Sequence, residues 1–167
     1  MIGQISASLI GTMAFSVLFG VPKRYCLMCG AIGMVGWVVY LLLEPFVNNT
    51  FAIVAATVLV ACLSRLSAVA WKCPTTIFMI TGLFPLIPGG GIYWTTYYLM
   101  VGEQNMAVHT GYGALKSAVA IVLGVVLVDI IPQSFFRKIG SPIAAFLEKR
   151  ESARKAEKQK IEEAGSD

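Results

Sequence analysis

The sequence predicts an all-α integral membrane protein: five transmembrane helices, the fourth broken at a Pro-Gly-Gly-Gly motif, followed by a cytoplasmic amphipathic helical tail. Three observations predict this class. Hydrophobic residues make up 57% of the 167-residue chain and charged residues only 13%, about half the share of an ordinary soluble domain. The charges are segregated: eight of the thirteen Lys and Arg residues follow Ile131. The apolar sequence before that point divides into runs of about 20 residues, the length that crosses a hydrocarbon core. A mean hydropathy of +0.75 is more apolar surface than one small water-soluble core can hide, so the chain needs lipid.

The chain divides at residue 132. Residues 1–132 form the five-span domain and 133–167 the tail. The expected spans are 2–21, 25–43, 50–71, 75–101 and 112–131, with loops around 44–49 and 102–111. No positive charge precedes the first apolar run, and Lys23–Arg24 follow it, so it reads as a span that stays in place, not a cleaved signal peptide. Lys23 and Arg24 fall between spans one and two, Arg65 and Lys72 at the end of span three, and the largest basic group after span five. The two remaining loops hold no Lys or Arg. Five spans with the N-terminus outside put every basic group inside, so the positive-inside rule predicts N-out/C-in. The basic residues are mixed with acids or sit at span ends, which does not suit nucleic acid.

Small residues suggest how the helices pack. Gly3, Ala7 and Gly11 are four apart, and Gly30, Gly33 and Gly36 repeat at three; in lipid such stripes let backbones approach closely. Cys26 and Cys29 form a CxxC, with Cys62 and Cys73 elsewhere and His109 the one histidine. Small apolar packing residues are the preferred reading over a redox pair or half a metal site. No metal ligands and no cofactor are expected.

The fourth span carries the chemistry. It contains Pro85, Pro88, Gly89, Gly90 and Gly91. Proline removes a backbone donor and clashes with the preceding turn, and consecutive glycines give a helix no side-chain support. Broken backbone inside a bilayer is tolerated where it is buried in protein or lines a wet cavity, and discontinuous helices are how many transporters build substrate sites. The second half-helix would aim free N–H groups and a positive dipole end at a carboxylate. Carbonyls near Leu86 and Ile87 would suit a cation or ammonium, with hydroxyls from Tyr93, Thr95 and Thr96. The candidate substrate site is therefore Pro88, Gly89, Gly90, Gly91, Tyr93, Thr95 and Thr96. A kinked structural helix or a packed re-entrant hairpin is the plainer alternative.

Three intramembrane charges are candidates for coupling: Arg65, Lys116 and Asp129. Arg65 and Lys116 are read as snorkelling toward a helix end or pairing between helices. Asp129 is thirteen residues from Lys116, about 20 Å along a helix, so the two do not pair within one. Asp129 is either a proton carrier or an interfacial carboxylate near tail lysines.

In the tail, Phe135, Phe136, Ile139, Ile143, Phe146 and Leu147 recur at helical spacing. Ser141–Pro142 reads as an N-cap and a first-turn proline. The segment suits a helix lying on the inner leaflet, with a solvated charged stretch from Glu151 onward. A topology determinant and a partner site both remain open for it.

The run Pro74-Thr-Thr-Ile-Phe-Met-Ile-Thr-Gly-Leu-Phe-Pro-Leu-Ile-Pro-Gly-Gly-Gly-Ile-Tyr93, with Val21-Pro22-Lys23 after span one, resembles the threonine/serine exporter family. The likeness covers about residues 1–131 and is nearest to the short, separately encoded half related to the C-terminal half of fused members. It implies export of threonine, serine or small dicarboxylates such as succinate. It also implies a hetero-oligomeric partner, a larger five-span subunit with a cytoplasmic N-terminal domain, and a bacterial inner (plasma) membrane location. Two halves of opposite orientation would form an inverted repeat. Thr81 stands where the family often has proline, and a family acidic residue near Arg65 is missing from the local sequence. No Ser/His/Asp, metal or phosphate-loop pattern suggests an enzyme; a non-transporting membrane scaffold is the competing function.

Overall fold

The structure, a computed structural model, describes residues 2–132 together with Ser134, Phe136 and Lys138. The amphipathic and charged tail expected beyond residue 138 lies outside the described residues. Among the described residues every element is helical: α1 Ile2–Leu18, α2 Lys23–Leu43, α3 Asn49–Trp71, α4 Thr75–Leu83, a 3-10 turn at Phe84–Leu86, α5 Gly89–Val101 and α6 Gln104–Asp129.

Helices α2, α3 and α6 are each long and apolar enough to cross a membrane, and α4 with α5 makes a fourth crossing if the bent pair is one span. The chain is thus a multi-pass membrane protein. The first expected span is shorter than 2–21. Gly20 takes a left-handed φ of +70°, and the Val21 N–H reaches back to the Ser16 carbonyl at 3.0 Å, closing α1 at 17 residues. That length is about 25 Å of helix.

Helix α6, where the fifth span is expected, runs longer than 112–131. Gly102, at φ +86°, ends α5 with the Glu103 N–H on the Tyr98 carbonyl at 2.9 Å, the bond that closes a glycine-terminated helix end. The chain reverses there, and α6 begins at Gln104. The expected loop at 102–111 is therefore a tight turn, and His109 is helical. The hydropathy pattern started the span at the first unbroken apolar run, while tertiary contact with α5 holds the more polar turns before it.

The core lies between α2, α3 and α4. Tyr25, Cys29, Ile32, Val60 and Phe78 are buried together, with the Tyr25 ring edge-on to Trp71 and Phe78 at 5.6 and 5.8 Å. These contacts bring the start of α2, the end of α3 and the start of α4 to one end of the bundle. Lys23, Arg24 and Lys72 sit at that end, and Arg65 binds the end of α6 there. The other end holds the α2–α3 turn, where Tyr40 donates to Asn49 at 3.0 Å.

Gly30, Gly33 and Gly36 pack as expected. A Cβ on Gly30 would meet Met13 and Leu9, on Gly33 Thr12, and on Gly36 Val60. The other expected stripe differs, because nothing lies within 4 Å of a Cβ at Gly3 or Gly11. The α1 helix turns its Leu9–Thr12–Met13 side to α2 and leaves that stripe open. Two close approaches were not signalled by spacing: Gly82 against Ile32 and Val60, and Gly124 against Thr57 and the Val54 carbonyl.

A Cβ at position 124 would lie 2.7 Å from the Thr57 Cβ and 3.1 Å from the Val54 carbonyl oxygen, atoms that cannot swing aside. Gly124→Ala is expected to lose about 1–3 kcal/mol, read as a lowered Tm in detergent, while Gly3→Ala leaves the Tm unchanged.

Candidate functional site

The helix expected over 75–101 is interrupted where proline and glycine break its hydrogen bonding. The α-helix gives way to a 3-10 turn at Phe84, Ile87 is extended (φ −63°, ψ 129°) and Pro88 takes ψ 52°. The two halves meet at a bend of 51°. The Gly89 N–H closes a tight turn onto the Ile87 carbonyl at 2.7 Å, so that carbonyl already has a donor. No side chain caps α5. The Gly90 and Gly91 amides have no backbone or capping acceptor among the described residues, and the positive end of the helix dipole coincides with them.

The two sides of the break face different surroundings. The 3-10 turn packs inward: Leu86 is buried and the Phe84 ring stacks on Phe15 of α1. Phe84 and Pro85 wall a groove of about 270 Å³ with Gln4, Ser8, Thr12 and Trp37. On the far side, Pro88, Ile92, Thr95 and Thr96 form a second groove of about 330 Å³ with Gly111, Ala114, Leu115 and Ala118 of α6.

Of the seven expected substrate-site residues, three line this second groove: Pro88, Thr95 and Thr96. Gly89 and Gly90 are exposed at the start of α5, with nothing within 4 Å of an added Cβ. Gly91 instead packs on Ala114, where a Cβ would approach to 3.0 Å; its small size serves the α5–α6 contact. Tyr93 is 63% exposed, outside the groove lining, and stands edge-on to Trp94. The hydroxyls are already engaged: Thr95 lies 2.7 Å from the Gly91 carbonyl and 3.1 Å from the Thr110 hydroxyl, and Thr96 donates to Ile92 at 3.1 Å. A hydroxyl whose proton goes to its own helix offers lone pairs to a ligand, so these threonines suit an ammonium donor better than a carboxylate.

The three expected charges separate into two kinds. Arg65 reaches from α3 to α6, where its guanidinium pairs with Asp129, donates to the Ile131 carbonyl at 3.0 Å and lies 5.4 Å from the centre of the Phe136 ring. Arg65 is thus paired between helices rather than reaching alone for the interface. A carboxylate does stand beside Arg65, delivered by Asp129 of α6. Lys116 is displaced from its expected place near the outer end of its span, because α6 starts eight residues earlier than 112. It falls at the middle of α6, exposed, with its ammonium 4.6 Å from the Tyr112 ring centre.

The CxxC thiols pack. Cys26 and Cys29 are buried, with Cys29 Sγ 3.9 Å from the Ile77 carbonyl. In the turn after α3, burial pushes the Cys73 thiol up, with Arg24 pulling it back. Spacing did not single out a set of buried hydroxyls, Thr12, Ser16, Thr57, Ser64, Thr81 and Ser117. Those of Thr57 and Ser64 have no hydrogen-bond partner among the described residues. They are seven apart on α3, a repeat that marks one helix face, and this was the available signal.

Several apolar helices, a bent helix pair and a groove at the bend define a helical multi-pass membrane protein. A family model described as "Threonine/Serine exporter, ThrE" matches residues 4–131. The chain belongs to the threonine/serine exporter family, whose role is exporter-type membrane transport. No curated protein and no solved structure matches it.

Arg65 is only 13% exposed while Asp129 is 53% exposed. Asp129→Ala, which strands the more buried partner, should cost about 1–2 kcal/mol, below the cost of breaking a fully buried pair because Asp129 is half exposed. Chemical denaturation in detergent would measure it. A double-mutant cycle with Arg65→Leu should return a favourable coupling energy.

Proposed function

We propose that the chain is one subunit of a two-part secondary exporter for a small amino acid of the threonine/serine type or a small dicarboxylate, with the substrate bound at the break between α4 and α5. The observation that carries this reading is the uncapped start of α5 beside the groove of about 330 Å³. The volume suits a metabolite of threonine size. The free Gly90 and Gly91 amides, at the positive helix end, accept a carboxylate. The lone pairs of Thr95 and Thr96 in the adjoining groove accept an ammonium. An amino acid presents those two groups together, and family membership points to the same substrate class.

The proposal includes α1 as a short first crossing, hence five passes, with the N-terminus outside and residues 133–167 inside. Support comes from the gathering of Lys23, Arg24, Lys72 and Arg65 at one end of the bundle, which the positive-inside rule assigns to the cytoplasm. An odd number of passes leaves the two ends on opposite sides. Such a chain complements a larger five-span subunit of reverse orientation, as inverted-repeat transporters require. A bacterial inner membrane suits this arrangement. Arg65 and Asp129 then act as a helix clamp near the cytoplasmic face, and any proton carried by Asp129 must compete with its ion pair.

Two experiments test this. Gly90→Leu places a bulky side chain in open space at the α5 start, so the protein should insert normally while threonine or succinate export falls at least tenfold. Unchanged intracellular accumulation of threonine, serine and succinate, with normal insertion, would favour the scaffold reading. In a cysteine-free background, Asn48→Cys should react with an impermeant maleimide added to intact cells and Ser166→Cys only after lysis; the reverse pattern would invert the proposed orientation.

A further inference from the structure

Lys116 lies twelve residues from the start of α6 and thirteen from its end, roughly 18 and 20 Å along the axis. The antiparallel contact with α5 gives an independent measure of its depth. Thr95 meets Thr110 at 3.1 Å and Gly91 meets Ala114. Continuing that register sets position 116 level with Gly89, at the break in the bent span. By both measures the Lys116 backbone, from which the ammonium extends, is at mid-membrane depth, about 15 Å from either edge of a hydrocarbon core about 30 Å thick. A lysine stem is too short to carry it to an interface from there.

The inward sides of α6 are accounted for. Gly111 and Ala114 meet α5, and Ser117, Ala120, Gly124 and Val128 are buried on the side that meets α3. Lys116 is on the remaining face and exposed, in line with Asn105, His109 and Tyr112 at spacings of four, three and four. All four residues are exposed, and toward the Asp129 end the same face continues through exposed Leu123 and Leu127. A half-polar stripe ending in a cation is unsuited to lipid tails, and ionisable residues at this depth face protein or water.

We infer that this outer face of α6 is an interface with a different membrane-spanning chain, one that sets a carboxylate beside Lys116 at mid-membrane depth. The inference rests on the reading that the chain works with a larger five-span subunit. Charge selects the occupant. A second copy in the same orientation would bring another lysine to the same depth. It would also lack a carboxylate to offer: before residue 132 the acids are Glu44, Glu103 and Asp129. The first two lie at helix ends, and Asp129 is held by Arg65 about 20 Å away. Residues 139–167 hold six basic and six acidic residues, so that stretch offers no net negative charge. A helix with an Asp or Glu at matching depth satisfies the lysine, and its side-chain polar groups can meet Asn105, His109 and Tyr112.

The test is co-purification of the full-length tagged chain with the co-expressed larger subunit in mild detergent. Lys116→Glu should cut recovery of the larger subunit more than tenfold, and Lys116→Arg should keep it. Changing one Asp or Glu within the larger subunit's spans to Lys should restore recovery with Lys116→Glu. Monomer elution and Tm of the variant alone control for folding; if Lys116→Glu misfolds, Lys116→Gln is used and should cut recovery at least threefold. Wild-type recovery with the non-basic variant overturns the inference, as does failure of every reversal to rescue, or failure of the unaltered pair to co-purify. A Lys116→Cys chain that oxidises to a disulfide-linked homodimer in membranes overturns it in favour of a second copy. Lost export with unchanged co-purification overturns it in favour of a substrate contact. Gly90→Leu changes the substrate site and leaves α6 intact, so failure of the docking face and failure of the export reading are distinguishable.

Discussion

Lipid supplies no hydrogen bonds, so every backbone polar group at membrane depth must find its partner in the protein. That constraint explains why the described chain is helical and why its one interruption matters. Between Phe84 and Gly91 the regular ladder fails, and the chain compensates locally. A 3-10 turn takes up Ile87, a tight turn takes up Gly89, and Leu86 and Phe84 are packed against α1 and α2. Two amides, at Gly90 and Gly91, are left over. An unmet donor pair inside a membrane is costly unless something polar comes to it.

The same reasoning governs charge. Arg65 is stabilised by three different contacts, a carboxylate, a backbone carbonyl and an aromatic face. It ties α3 to α6 across 64 residues of sequence. Together with Gly124 seated on Thr57, it fixes the α3–α6 crossing from two points. Among the described residues Lys116 has only the Tyr112 ring. The two charges differ in how far the described part of the chain satisfies them.

The α5–α6 hairpin connects these themes. Its two-residue turn at Gly102 and Glu103 aligns the helices tightly, through Thr95 with Thr110 and Gly91 with Ala114. The α5 helix buries no residue of its own, so apart from α6 it is open on its aromatic face, where Trp94 meets Tyr93, Tyr97 and Tyr98. The α5 helix is thus less committed to the core than α2, α3, α4 and α6.

Much of the architecture is legible in the sequence. Apolar runs of membrane length marked α2, α3 and α6 because lipid exposure demands apolar side chains all round. Pro85, Pro88 and three glycines marked the break because their effect on a helix is local and covalent. Gly30, Gly33 and Gly36 marked a packing face because helical spacing alone puts them in a row. Tertiary structure decided what depends on partners distant in sequence. It started α6 at Gln104 and so moved Lys116 to mid-helix, because contact with α5 holds turns that hydropathy would leave in a loop. It turned the Gly3–Ala7–Gly11 stripe away from α2, because one helix can present only one side to its neighbour. It also gave Arg65 the carboxylate of Asp129, since no spacing rule reveals which ends of two helices will meet.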